Sequence, residues 1–206
     1  MADLTLRFED YIEDNFDRML AEIRDFARTR TLPEKLSLEI GSNKGRFLWG
    51  LAQRNTQQFY LGLEIRVKYA DQANRLYERE GITNAHVLRA DANLAIPILV
   101  DDGQLDELFL LYPDPWWKER HRKRRIIQPD FLDLMTRKMR PGGKLWIRTD
   151  VGPLANDMRA DLNAHPNFEL TPFDDYPLEA FPKSERDIIT ANKGMPVQTL
   201  YYTFRP

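Results

Sequence analysis

One segment holds the densest chemistry in this chain: Leu110-Leu111-Tyr112-Pro113-Asp114-Pro115-Trp116-Trp117-Lys118-Glu119-Arg120-His121-Arg122-Lys123-Arg124-Arg125. An apolar run enters a turn in which Asp114 stands between two prolines. Two fixed φ angles and two missing backbone donors stiffen that turn and set the direction of the carboxylate. Two tryptophans follow, then six cationic residues in eight, from Lys118 to Arg125. An acid beside a planar stacking surface and a phosphate-seeking cluster suits the presentation of one base of a polyanion to a reaction centre. Plainer readings exist for each part: an Asp that satisfies turn amides, a solvated basic face, and tryptophans of the core. One of Trp116 and Trp117 fits the core and the other a base stack. Because the basic run abuts the acid, phosphate contacts fall to Arg120, His121, Arg122, Lys123, Arg124 and Arg125, with His121 a helper and not a base.

Four more acids stand at or next to expected strand ends: Glu39, Glu64, Asp91 and Asp150. In an open α/β sheet, ligands bind outside the carboxyl ends of the strands, so acids gathered there point to a polar ligand. Gly41-Ser42-Asn43-Lys44-Gly45 follows Glu39, and glycines at Gly41 and Gly45 allow a sharp turn and close backbone approach. The dinucleotide pattern G-x-G-x-x-G is absent, which favours a single nucleotide-like ligand. Glu64 lies 19 residues beyond Gly45, near the spacing of about 20 at which an acid grips ribose hydroxyls. Taken singly, each acid also reads as a solvated surface group, and Asp150 as a helix N-cap.

These residues need a frame. Phe8, Tyr11, Ile12, Phe16, Met19, Leu20, Ile23 and Phe26 recur at helical spacing, predicting an amphipathic helix over about 8–28. Strands are expected at 36–40, 59–64, 85–89, 105–112, 144–149, near 168–170 and at 198–204. Helices are expected at 46–54, 66–80, about 129–139 and after Asp150. A turn is expected at Arg140-Pro141-Gly142-Gly143 and a surface loop at 170–183. Strand and helix alternate at βαβ intervals, which predicts a doubly wound α/β sheet. The last strand follows a loop in this reading and is expected to pair antiparallel at the sheet end.

Composition limits the partners. At 206 residues, with 42% hydrophobic and 30% charged residues, the chain is long enough for one globular domain, 1–206, and short for two. No cysteine is present, which removes disulfides, iron–sulfur clusters and thiolate zinc sites. His86, His121 and His165 lack metal-ligand spacing, so no metal is expected. No run of about 18 apolar residues suggests a membrane span, and the acidic N-terminus lacks the apolar core of a signal peptide. A cytoplasmic location is expected. The net charge of −2 does not argue against nucleic acid, because a local patch suffices. Monomer and homodimer remain equally open.

Leu38-Glu39-Ile40-Gly41, Gly62-Leu63-Glu64, Asp91-Ala92, Pro113-Asp114-Pro115-Trp116-x-Lys118-x-Arg120-His121-x-Lys123-Arg124-Arg125, Pro141-Gly142-Gly143 and Thr149-Asp150 occur in that order. Over about residues 36 to 204 the chain resembles the bacterial tRNA (guanine-N7)-methyltransferases. The Pro-Asp-Pro-Trp segment with its basic tail is the specific part. The resemblance implies a class I methyltransferase fold, with a mostly parallel seven-stranded sheet and an antiparallel C-terminal strand. It implies S-adenosylmethionine as methyl donor and a guanosine of the tRNA variable loop as acceptor. It assigns Glu39, Glu64, Asp91 and Asp114, with the Gly41–Gly45 turn, to the cofactor. Lys118, Asp150, Ser184 and Asp187 would contact substrate, Ser184 and Asp187 replacing the family's Thr and Glu. The chain departs from the pattern at Lys44, Val151 and Met195.

Guanine N7 has a free lone pair and no proton to lose, so methylation there needs placement, not a general base. Asp114, Asp150 and Asp187 are candidates to read the guanine N1–H and N2–H₂ donors, and Asp114 is the expected catalytic residue. Two rivals remain: a methyltransferase of the same fold with another substrate, and a non-enzymatic RNA-binding module.

Overall fold

The computed structural model describes residues 4–172 and 181–206, with side chains in the first helix described from Phe16 onward and none described for Glu119. Alternating strand patterns and apolar helix faces assemble one seven-stranded sheet in the order β3-β2-β1-β4-β5-β7-β6. The strands are β1 (Leu36–Ile40), β2 (Phe59–Glu64), β3 (Ala85–Arg89), β4 (Leu105–Leu111), β5 (Met139–Thr149), β6 (Phe168–Leu170) and β7 (Gln198–Phe204). Strands β1 to β5 run parallel to one another, while β7 pairs antiparallel with both β5 and β6.

The helices are α1 (Leu4–Thr29), α2 (Arg46–Arg54), α3 (Val67–Arg79), α4 (Ala92–Leu99), α5 (Pro129–Lys138), α6 (Gly152–Ala164) and α7 (Glu185–Asn192). Helices α2 and α3 bury Phe47, Leu51, Ala73 and Tyr77 with Phe109, Trp146 and Tyr201 on one face of the sheet. On the other face, α1, α4, α5 and α6 bury Ile23, Phe26, Ile96, Phe131, Met135 and Leu162. Strand β1 shows the period of two behind this layering: Leu36, Leu38 and Ile40 join the second cluster, so Glu39 projects toward the α2 side. Strand order reverses at the β1–β4 junction, where a crevice opens at the carboxyl ends.

The structure corrects several local expectations. Helix α4 was not expected: Ala92–Leu99 is almost wholly apolar and contains Pro97, so it carries no amphipathic period. Helix α7 occupies part of what read as a loop before the last strand. A capping box starts it, with the Ser184 side chain accepting from Asp187 N and the Asp187 side chain returning to Ser184 N. Strand β7 does not end the sheet; it lies between β5 and β6. The turn at 140–143 is a bulge within β5, since Met139 pairs with Leu105 and Lys144 with Glu107. Of the loop at 170–183, residues 173–180 lie outside the described residues.

Helix α1 packs against α4 and β3. Phe26 stacks on His86 at 5.1 Å, and burial lowers the His86 pKa to about 4, leaving a neutral packing residue. Met19 Sδ accepts from Asp91 N at 3.0 Å, and Glu22 pairs with Arg89 at 3.1 Å. The N-terminal helix therefore braces the end of β3.

Candidate active site

At the switch point a cavity of about 460 Å³ opens between the turn after β1 and the turn after β4. That size lies within the usual range for small-ligand sites, about 300–1,000 Å³. Glu39, Gly41, Asp114, Asp150 and Ser184 line it. Sequence positions far apart are thus brought to one space by β1, β4, β5 and α7.

Glu39 is 3% exposed, and its Oε2 is buried without a hydrogen-bond partner. Desolvation raises its pKa to about 8, opposed by the Ser42 hydroxyl and reinforced by the negative potentials of Glu64 and Asp187. Gly41 leaves β1 at φ +78, a left-handed conformation, with open space where a Cβ would stand. Gly45, at φ +71, serves packing instead, because a Cβ there would strike the Tyr77 ring, whose hydroxyl donates to Gly45 O at 2.8 Å. Gly45 does not line the cavity; it lets α3 close on the entrance to α2. Between them Asn43, also left-handed, donates its N–H to Glu64 Oε2 at 2.8 Å and holds its Oδ1 buried without a partner.

Glu64 is 2% exposed, and its carboxylate is taken up by Asn43 N, Arg66 N and the Arg66 guanidinium, with Nε at 2.8 Å. Arg66, not Glu64, forms the cavity wall, and it stacks over Tyr69 at 4.2 Å. Asp91 also lies outside the cavity, capping α4 by accepting from Asn93 N at 2.9 Å. Asp150 pairs with the Arg186 guanidinium, both contacts falling on Oδ2. Asp150 is not the N-cap of α6, a position taken by Val151. Lys118 is exposed and does not reach the cavity, whereas Ser184 does.

Asp187 sits behind the wall at 5% exposure. Its oxygens accept from Tyr112 Oη at 2.5 Å, Arg148 Nη1 at 2.7 Å, Ser184 N at 2.8 Å and Ser184 Oγ at 2.7 Å. It is a brace for β4, β5 and α7, with its lone pairs already engaged.

The Asp114 turn is held by strain as well as by proline. Tyr112 and Trp116 have φ +54 and +46, which bulky residues adopt only when their surroundings impose it. Asp114 itself is exposed. Beyond it, Glu119–Arg124 form a short 3-10 helix. Arg125 Nε donates to Pro115 O at 2.9 Å and its Nη1 pairs with Asp157 at 2.6 Å, while Arg122 shares Asp157 at 3.1 Å. Arg124 lies 5.1 Å from the Trp116 ring centroid, and His121 packs edge-on at 5.8 Å. Burial and the Arg124 and Arg120 charges lower the His121 pKa. Neither tryptophan joins the core: Trp116 is half-buried under Arg124, and Trp117 is 70% exposed at the cavity. Among the described residues, no group of three or more His, Asp or Glu side chains is placed to hold a metal, and no helix is long and apolar enough to cross a membrane.

Sequence reasoning did not find Arg66, Arg186, Arg148, Asn43 or Tyr112. The spacing Glu64-x-Arg66 was a usable signal for the first.

A family model described as "Putative methyltransferase" matches residues 33–197. A tRNA (guanine-N(7)-)-methyltransferase of Microcystis aeruginosa is 34% identical over 180 residues, covering 84% of this chain and 85% of that protein. The chain belongs to the tRNA (guanine-N7)-methyltransferase family. Another relative of the same name, from a Synechococcus species, is 36% identical over 152 residues. That match covers 72% of this chain and 64% of the relative, so the shared part is under two thirds of that protein's length. The fold agrees with this family membership: a SAM-dependent O-methyltransferase from Thermotoga maritima superposes with a TM-score of 0.55 at 17% identity, covering 91% of this chain and 64% of that one.

Proposed function

We propose that this chain transfers a methyl group from S-adenosylmethionine to N7 of a guanosine in the tRNA variable loop. One observation carries the reading: buried Glu39, with an unpartnered oxygen, and the rigid Asp114 turn face the same cavity across the switch point. The relatives named for this reaction on tRNA support the substrate. A chain without cysteine acting on tRNA fits the cytoplasm.

The residues present fit the cofactor. An ammonium group would supply the partner that Glu39 Oε2 lacks and would draw its proton off. The open space beside Gly41 and the unpartnered Asn43 Oδ1 would receive other polar groups, while Glu64, its carboxylate taken up by Asn43 N and Arg66, would act by holding those two in place. When bound, S-adenosylmethionine supplies a methyl group on a sulfonium, and its transfer leaves a neutral thioether while the positive charge passes to guanine.

The protein's own work is then placement. No side chain must remove a proton from N7, so Asp114 and Asp150 serve to accept from the N1–H and N2–H₂ edge and aim N7 inward. Both Arg186 contacts fall on Asp150 Oδ2, which leaves Oδ1 for the base. These carboxylates also stabilise the charge growing on the ring. Ser184 takes its position from Asp187, and Lys118 with the exposed cations beyond it would hold phosphates. A stacked guanosine must leave its stack to reach the cavity.

The test is incubation of the purified protein with bulk tRNA and radiolabelled S-adenosylmethionine, followed by cleavage at 7-methylguanosine. Cleavage within the variable loop is expected. Labelled cofactor binding without methylation of tRNA, or cleavage elsewhere, overturns the assignment.

A further inference from the structure

Trp117 lines the cavity at 70% exposure, together with Asp114 and Arg66. Tryptophan is highly buried on average, and this one is bare where the cavity opens. The chain holds it there at a cost. Trp116 is left-handed, Pro115 O is tied to Arg125, and Arg125 is tied to Asp157. With the turn pinned in this way, the consecutive indoles diverge. Trp116 goes under Arg124 and against His121, and Trp117 goes to the cavity.

The other rings that line the cavity, among the described residues, are less exposed. Phe47 is 3% exposed and meets Phe109 edge-on at 5.0 Å. The Tyr112 hydroxyl is committed to Asp187, and nearby Tyr69 is covered by Arg66. Trp117, by contrast, is exposed and lines the cavity.

We propose that Trp117 is the platform on which the target purine stacks, and that it holds the N7-methylated ring more tightly than the unmethylated one. This rests on the proposed reaction and adds a consequence to it. An aromatic surface can replace the stacking that an extruded base loses. Methylation then turns a neutral purine into a cation lying on an electron-rich indole, whose face attracts positive charge. Asp114, beside it, adds to that attraction. The site therefore retains its product, and release of the modified nucleotide becomes a slow step.

The test measures guanosine monophosphate and 7-methylguanosine monophosphate by equilibrium dialysis against the intact protein with S-adenosylhomocysteine present. Wild type is expected to favour the methylated nucleotide by about threefold to thirtyfold, the span of a cation on an indole face. Trp117→Ala should reduce that preference severalfold, to the part the carboxylates supply, and raise KM for tRNA by about tenfold to a hundredfold, the range of one base–aromatic stack. Trp117→Phe should restore part of both, and an unchanged melting temperature in each variant shows that the fold is kept. Equal affinities in wild type, or a preference and KM left undiminished by Trp117→Ala, would overturn the proposal. If wild type fails to methylate tRNA, the functional assignment fails, while the ratio of the two nucleotide affinities still decides the stacking role.

Discussion

The Tyr112 hydroxyl donates to the Asp187 carboxylate at 2.5 Å, tying the strained exit of β4 to the first turn of α7. The same tyrosine donates its backbone N–H to Arg148 O at 2.6 Å, and the Arg148 side chain pairs with Asp187. Tyr112 is thus gripped at both ends by β5 and α7. Asp114, two residues on, and Ser184, at the start of α7, inherit their positions from this ring of contacts.

Burial, and then the bond to Asp187, push the Tyr112 pKa up to about 12, so its hydroxyl remains a donor at neutral pH. Tyr112→Phe removes one bond to a charged group and should lower stability by about 1.5–3 kcal/mol. The turn should also loosen, lowering kcat for tRNA more than it weakens cofactor binding. Urea unfolding and steady-state kinetics check this; an unchanged urea midpoint would mean that Arg148 and Ser184 hold Asp187 without help.

Asp114→Ala should leave the fold intact, because the side chain is exposed and its turn is fixed by prolines and by Arg125. Methylation of tRNA should fall by about a hundredfold or more, the usual loss when a positioned charge-stabilising group is removed. Wild-type turnover in a folded Asp114→Ala protein would remove Asp114 from the mechanism.

Elements with a clear period were legible in the sequence: β1, α2, β2, β3 and β7 lie at their expected bounds. Helix α4 was not, because Ala92–Leu99 has no polar face and the Asp91 cap read only as a ligand candidate. At α7 the Ser184 and Asp187 pair was visible, but as a substrate motif; its capping geometry makes Asp187 a brace. The acids were legible because strand ends are local features. Their counter-ions were not: Arg186 meets Asp150 and Arg148 meets Asp187 only once β5 and α7 are packed together. A basic run likewise does not reveal which of its members turn inward, as Arg125 does.

Glu39 should make cofactor binding depend on pH if it meets the ligand's ammonium as proposed. Its carboxyl, raised to about 8 by burial, is largely protonated at pH 6 in the ligand-free protein. A cationic ligand binds the ionised form, so affinity for S-adenosylmethionine should rise from about pH 6 toward 8, and fall again where the ligand's own amino group loses its proton. Glu39→Gln should flatten the profile. For the ligand-free fold the sign is opposite. The unfolded chain ionises Glu39 near its ordinary value while the folded one resists, so stability should fall between about pH 4.5 and 8, by about 1.4 kcal/mol per unit at most. Calorimetric titration across pH measures the first effect and urea unfolding the second; flat curves in both would remove the buried acid from cofactor recognition.

The basic segment should divide by function when neutralised. Arg120, Lys123 and Arg124 have exposed side chains on the 3-10 helix, available to meet phosphates, although Arg124 also covers Trp116. Replacing Arg120 or Lys123 by Ala should weaken tRNA binding similarly for every tRNA sequence and reduce the salt slope by about 1 for each charge. Arg125 is different, its side chain 15% exposed and spent on Asp157 and Pro115 O. Arg125→Ala should lower the melting temperature and kcat while leaving the salt slope nearly unchanged, because no phosphate contact is lost. Filter binding of tRNA across a salt series, beside thermal melts of each variant, separates the two classes. A full unit of slope lost in Arg125→Ala would mean that its guanidinium leaves Asp157 for the RNA.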